Sequence, residues 1–125
     1  MPASKVRVLI ADDNRPFAEV LQAMLTRDPR MEVVGLVTSG REAVELAGRL
    51  RPDLVLMDIS MPSVDGLEAT RRIRRQYQDV GVLIVTGSDA AADVDAARQA
   101  GAAGYLTKDN IVGGLVEAIL DAARR

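Results

Sequence analysis

Five apolar runs alternating with five helical periodicities predict an α/β chain. The expected fold is a (βα)5 doubly wound domain with a five-stranded parallel sheet in the order 2-1-3-4-5. Three observations carry this. Runs such as LVLM at 54–57 and VLIV at 82–85 are apolar at consecutive positions, the mark of strands buried on both faces. The intervening segments repeat apolar residues at helical spacing. Parallel neighbours need crossovers, and right-handed crossovers lay helices on both faces of the sheet.

Val6, Val8, Leu9 and Ile10 make the first strand, and Phe17, Val20, Leu21, Met24 and Leu25 line one face of the first helix. Val33, Val34, Leu36 and Val37 make the second strand. Ser39 caps a second helix that turns Ala43, Leu46, Ala47 and Leu50 inward. The third strand is LVLM, and the helix predicted after it runs over 66–77, with Ala69 and Ile73 inward and Arg71, Arg72, Arg74 and Arg75 outward as a solvated face. Val82, Leu83, Ile84 and Val85 form the fourth strand. A short alanine-rich helix over 90–100 follows and stops at Gly101. Gly104, Tyr105 and Leu106 give a short fifth strand, and Val112, Leu115, Val116 and Ile119 mark the inward row of the last helix. Residues 1–125 are expected to form one domain.

Composition narrows the chemistry. The formal charge of −2, from 16 basic and 18 acidic residues, leaves no electrostatic footprint for nucleic acid or anionic membrane, so direct nucleic-acid binding is not expected. Cysteine and histidine are both absent, which excludes disulfides, thiolate chemistry, the usual zinc ligands and every Ser/His or Cys/His catalytic pair. Chemistry is left to carboxylates, hydroxyls and lysine. No apolar stretch is long enough to span a membrane and the first ten residues lack a signal-peptide core, so a cytoplasmic protein is expected.

In open α/β sheets, ligands bind beyond the carboxyl ends of the strands where the strand order reverses. Strand one runs into Asp12 and Asp13, strand three into Asp58, strand four into Thr86, and strand five into Lys108. In the order 2-1-3-4-5 the reversal falls between strands one and three, so the three aspartates converge. A like-charge pair about 4 Å apart costs roughly 4 kcal/mol at an effective dielectric of about 20. Lys108 offsets part of that cost, and a hard divalent cation is the natural remainder, with Mg2+ favouring one or two carboxylates, waters and a phosphate oxygen. In such a setting Asp58 can attack an in-line phosphoryl group and become an aspartyl phosphate.

Together, ADD at 11–13, LVLMDISMPSVDGLEATRRIR at 54–74, VTG at 85–87 and YLTKDN at 105–110 resemble the CheY-like receiver domain of two-component response regulators. LTKDN with GLEATRRIR is most similar to the NarL/FixJ group. The resemblance implies a flavodoxin-like three-layer sandwich and a phosphorylation switch. It makes Asp58 the phosphoacceptor, Asp13 a direct Mg2+ ligand, Asp12 a ligand through water, and the Ser60 backbone carbonyl the rest of the protein's share of the metal shell. Thr86 and Lys108 would bond phosphoryl oxygens, and Tyr105 would turn inward when Thr86 moves. Gly87 would admit the phosphodonor, and Ser60 and Ser88 would bear on hydrolysis. The implied partner is a sensor histidine kinase. A homodimer is allowed, and full-length members of the group add a helix-turn-helix DNA-binding domain that is absent from this chain. The implied output is transcription regulation through the face built from helix four, strand five and helix five.

One departure is local. The family usually has proline after its lysine, whereas Lys108 precedes Asp109. A cis bond before a non-proline residue costs about 2.5 to 4 kcal/mol, so a trans bond is expected, and Asp109 becomes a candidate cap for the last helix.

Plainer readings stand beside these. Asp12 and Asp13 could be the cap and first turn of helix one, Asp58 a turn residue, Thr86 a strand-end residue, Lys108 a surface charge and Tyr105 a packed aromatic. Two other functional classes compete. A haloacid-dehalogenase-like phosphatase needs a second acid two residues after its nucleophile, where this chain has Ser60. The alternative is a binding module that works without phosphorylation.

Overall fold

The computed structural model describes residues 5–59, 61, 64–87 and 90–123. Ser60, Pro62, Ser63 and Ser88 lie outside the described residues, so the expectations placed on Ser60 and Ser88 do too.

The elements follow in strict alternation: β1 (Val6–Ala11), α1 (Arg15–Thr26), β2 (Met31–Val37), α2 (Gly40–Leu50), β3 (Leu54–Met57), α3 (Gly66–Gln76), β4 (Gly81–Thr86), α4 (Ala91–Gln99), β5 (Gly104–Thr107) and α5 (Ile111–Ala123), with a 3-10 turn (Lys108–Asn110) before α5. The strands pair in parallel in the order β2-β1-β3-β4-β5, as predicted. Successive strand residues feed two separate cores, which is why the runs are apolar throughout rather than alternating. Val8, Ile10, Leu54, Leu56, Leu83 and Val85 face the side covered by α1 and α5, through Ala18, Leu21, Leu25, Leu115 and Ile119. Leu9, Ala11, Val55, Met57, Val82 and Ile84 face α2, α3 and α4, through Ala43, Ala47, Ala69, Ile73 and Ala97.

Local chemistry explains most boundaries. Ser39 Oγ accepts from the Glu42 amide and Asp65 Oδ1 from the Glu68 amide, so α2 and α3 begin on side-chain caps. Helix α4 differs. Its N-cap is Ala90, which offers no side-chain hydrogen bond, and Ala97 is its one buried residue. Its chain ends through Gly101 at φ +102°, a conformation that favours glycine.

Three expectations and one of the plainer readings need correction. Asn14, not Asp12 or Asp13, caps α1: its Oδ1 accepts from the Phe17 amide at 3.1 Å, and this leaves both aspartates outside the helix. Val112 is 89% exposed, and the inward row of α5 is Ile111, Leu115, Ile119 and Ala122, with Val116 half-buried. The 3-10 turn enters α5 with Ile111 in the core, so Leu115 and Ile119 stay inward while Ile111 replaces Val112 in the first turn. Asp109 does not cap α5, because its carboxylate accepts the Thr107 hydroxyl at 2.6 Å within that turn. Arg74 leaves the solvated face of α3. Its Nη1 donates to the carbonyls of Gln78 at 2.8 Å and Val80 at 2.6 Å, and its stem lies against Gly101. Arg71 and Arg72 stay outside, both paired with Glu68 at 3.1 Å.

Candidate phosphoryl and metal site

Strand pairing delivers the acids. The Asp12 amide donates to Val37 O at 3.0 Å, extending the β1–β2 ladder by one bond, and the Asp58 amide donates to Ala11 O at 3.0 Å, extending β1–β3 in the same way. Both side chains therefore leave the sheet at the mouth between β1 and β3, nearly buried at 2% and 5% exposure, with Asp13 exposed beside them. Oxygen atoms of all three carboxylates lie within 4.8 Å of one another. The convergence expected from the strand order is present.

Lys108 reaches this cluster. Its Nζ stands 3.2 Å from Asp12 Oδ2 and 3.8 Å from Asp58 Oδ2. No peptide bond among the described residues is cis, so this reach is achieved with Asp109 following in trans. Thr86 is buried at the end of β4, opposite Thr107 in the β4–β5 register. Beyond it Gly87 is exposed, and a Cβ added there would meet nothing within 4 Å. Among the described residues, the mouth is open on that side. Tyr105 is half-buried on β5 against the α2/α3/α4 core.

Three contributors were not singled out in the sequence. Asn14 donates its amide to Asp12 Oδ1 at 2.8 Å and so orients that carboxylate. Phe17 places its ring 4.3 Å from Lys108 Nζ. At Gly66 an added Cβ would overlap the Asp58 carbonyl oxygen, so only glycine lets the start of α3 lie against the Asp58 peptide. The DG pair at 65–66 hints at the last of these, since Asp65 caps the helix that Gly66 begins.

The donor set is chemically uniform. Three carboxylates offer hard oxygen ligands at one point, which suits Mg2+ or Ca2+ and not the softer metals served by histidine or cysteine. One ammonium cannot neutralise three carboxylates, so the site favours an added cation.

The sequence profile of the response regulator receiver domain matches residues 8–120. The chain is 40% identical over 116 residues to the transcriptional regulatory protein DegU of Brevibacillus brevis, covering 93% of this chain and 49% of DegU. It is 40% identical over 111 residues to a protein-glutamate methylesterase/protein-glutamine glutaminase of a Nocardioides species, covering 86% of this chain and 30% of that enzyme. Among solved structures, the signal receiver domain of a response regulator designated NarL from Mycobacterium tuberculosis superposes with a TM-score of 0.93 at 36% identity, over 98% of both chains. The chain belongs to the response regulator receiver domain family of two-component systems, within the NarL/FixJ group. It spans about half the length of DegU, and the family serves transcriptional regulators and enzymes alike. Among the described residues, no helix is long and apolar enough to cross a membrane.

Proposed function

We propose that residues 1–125 form one receiver that acts as a cytoplasmic phosphorylation switch, with Asp58 as phosphoacceptor for a sensor histidine kinase. The observation that carries this reading is the meeting of Asp12, Asp13 and Asp58 at one mouth with the Lys108 ammonium in contact. A carboxylate oxygen of Asp58 forms the new P–O bond as the P–N bond of a phosphohistidine breaks, its electron pair leaving on the imidazole nitrogen. The chain has no histidine, so the donor comes from outside. Asp13 and Asp58 would hold Mg2+ directly and Asp12 through water, and the expectation that the Ser60 carbonyl completes the set belongs to the same reading. When bound, the metal spreads the negative charge of the transferring oxygens.

Lys108 and Thr86 bond the new phosphoryl oxygens, and Gly87 leaves the approach open. Those bonds exist only in the phosphorylated arrangement, so they bias a population between two conformations. Moving it from mostly one state to mostly the other takes about 5.5 kcal/mol of differential contact. Helix α4, whose N-cap Ala90 supplies no side-chain bond and whose one buried residue is Ala97, is the element that yields, and Tyr105 on the adjacent β5 follows Thr86. The domain is regulatory and turns over no separate substrate. Its output is transcription, in keeping with the name of DegU as a transcriptional regulatory protein, and a DNA-binding domain such as a helix-turn-helix in the full-length protein, with a homodimer allowed, belongs to the same reading.

Intact-mass spectrometry after incubation with Mg2+ and acetyl phosphate tests the reading. One added phosphoryl group is expected, lost on chelation and in Asp58→Asn. No adduct under conditions where another receiver acquires one would sink the phosphoacceptor role.

A further inference from the structure

The Lys108 ammonium has an aromatic neighbour as well as two acidic ones. Its Nζ lies 4.3 Å from the centroid of the Phe17 ring, 3.2 Å from Asp12 and 3.8 Å from Asp58. Phe17 stands in the first turn of α1, its amide held by Asn14 Oδ1 at 3.1 Å, and the Asn14 amide donates to Asp12 Oδ1 at 2.8 Å. The contacts close on themselves: Asp12 binds Asn14, Asn14 binds Phe17, Phe17 faces Lys108, and Lys108 returns to Asp12.

We infer that Phe17 is a positioning residue for Lys108: the negative face of its ring holds the ammonium at the mouth, ready for the phosphoryl oxygens. The inference rests on the phosphoacceptor reading above. A lysine stem is flexible, and ordering it costs side-chain entropy that some contact must offset. The carboxylates alone serve this poorly, because a metal ion competes for the same oxygens and phosphorylation changes the charge on Asp58. The ring attracts the ammonium without a formal charge, so its pull persists through both events. The Lys108 side chain is 24% exposed, and partial desolvation of this kind strengthens a cation–π contact. Phe17 also packs on the α1/α5 core, which an aliphatic residue could do equally well.

The chain contains one phenylalanine, so biosynthetic replacement by mono-, di- and trifluorinated phenylalanine alters this ring alone. Fluorine withdraws charge from the ring face with little change in volume. The rate of phosphoryl uptake from acetyl phosphate with Mg2+ is expected to fall stepwise with fluorine count, by about two- to fivefold at the trifluorinated ring. The thermal midpoint should not track the fluorine count. Phe17→Leu should match the slowest analogue, and Phe17→Tyr should restore the rate. A second readout needs no phosphorylation: in the metal-free protein the Lys108 ε-methylene protons carry a ring-current shift that Phe17→Leu abolishes. A rate flat across the fluorine series, or no ring-current shift, overturns the role of Phe17 and leaves Asp58 as phosphoacceptor. If the native chain takes up no phosphoryl group while the ring-current shift is present, the phosphoacceptor reading fails and carries this inference with it.

Discussion

At the N-terminal ends of the strands, Arg7 donates its amide to Asp53 Oδ2 at 2.8 Å and its guanidinium to the carbonyls of Leu50 and Arg51 at 2.9 and 3.0 Å. Arg51 reaches Asp79 at 3.1 Å and lies 4.9 Å from the Tyr77 ring, and Arg30 pairs with Asp28 at 2.8 Å. Each of these acids has its own arginine or backbone amide. At the C-terminal ends, three carboxylates gather beside one lysine, which pairs with Asp12 and Asp58, while the Asn14 amide also serves Asp12. Both ends gather charge, but only one gathers a surplus of one sign. Self-neutralised charge ties α2 and the loops to the sheet, whereas surplus charge is a cost that a ligand can relieve. The difference separates scaffold from site.

The contrast breaks most sharply at Gly66. In Gly66→Ala the new Cβ must displace the Asp58 peptide, so a loss of about 1 to 3 kcal/mol in urea unfolding is expected, together with roughly tenfold slower phosphoryl uptake or worse. Packing and chemistry fail together there. At the opposite end they should part. Arg7→Ala removes two charged donors from carbonyl groups and is expected to cost about 1 to 2 kcal/mol with uptake unchanged. A matching loss of uptake would show that the ends are coupled.

Asp13→Asn sharpens the comparison in the other direction. Removing one exposed carboxylate from the surplus should stabilise the metal-free protein by about 1 kcal/mol. Adding Mg2+ should then favour the native chain, since only the full acid set binds it tightly. Unfolding curves with and without Mg2+ that show no such crossing would mean that Asp13 is not a ligand.

The smallest effect belongs to Asp28. The hydrogen bond from Arg30 lowers its carboxyl from the ordinary 3.8 to about 2. A depressed acid contributes stability above its unfolded value and loses it as pH falls through the folded one, here between about 4 and 2. The Asp28 side chain is half-buried but its Arg30 partner is exposed, so solvent screens the pair and the contribution is minor. An NMR titration should place the Asp28 midpoint near 2, and Arg30→Gln should return it towards the ordinary value.

Much of this was legible in the chain. Consecutive apolar residues in LVLM and VLIV identified strands buried on both faces, and Ser39 and Gly101 marked helix ends through capping chemistry that is local by nature. The acid cluster and Lys108 were legible because each stands where a strand stops. Arg74 was misplaced because its long side chain reaches the Gln78 and Val80 carbonyls, and Val112 because of how α5 is entered. Periodicity locates a helical stripe to within about one residue, and the neighbouring loop decides the final rotation. Asp109 was misread because Thr107, two residues away, offered its hydroxyl to the same carboxylate.

By itself, the sequence determined the alternation of strands and helices, the parallel sheet and the presence of an acid at the ends of β1 and β3, because these follow from patterns a few residues long. Tertiary structure alone decided that Phe17 would face Lys108 and that Arg7 would bridge to Asp53. Those partners are far apart along the chain. Contacts of that range leave no periodic trace, since they depend on how the packed layers bring unrelated segments to one surface.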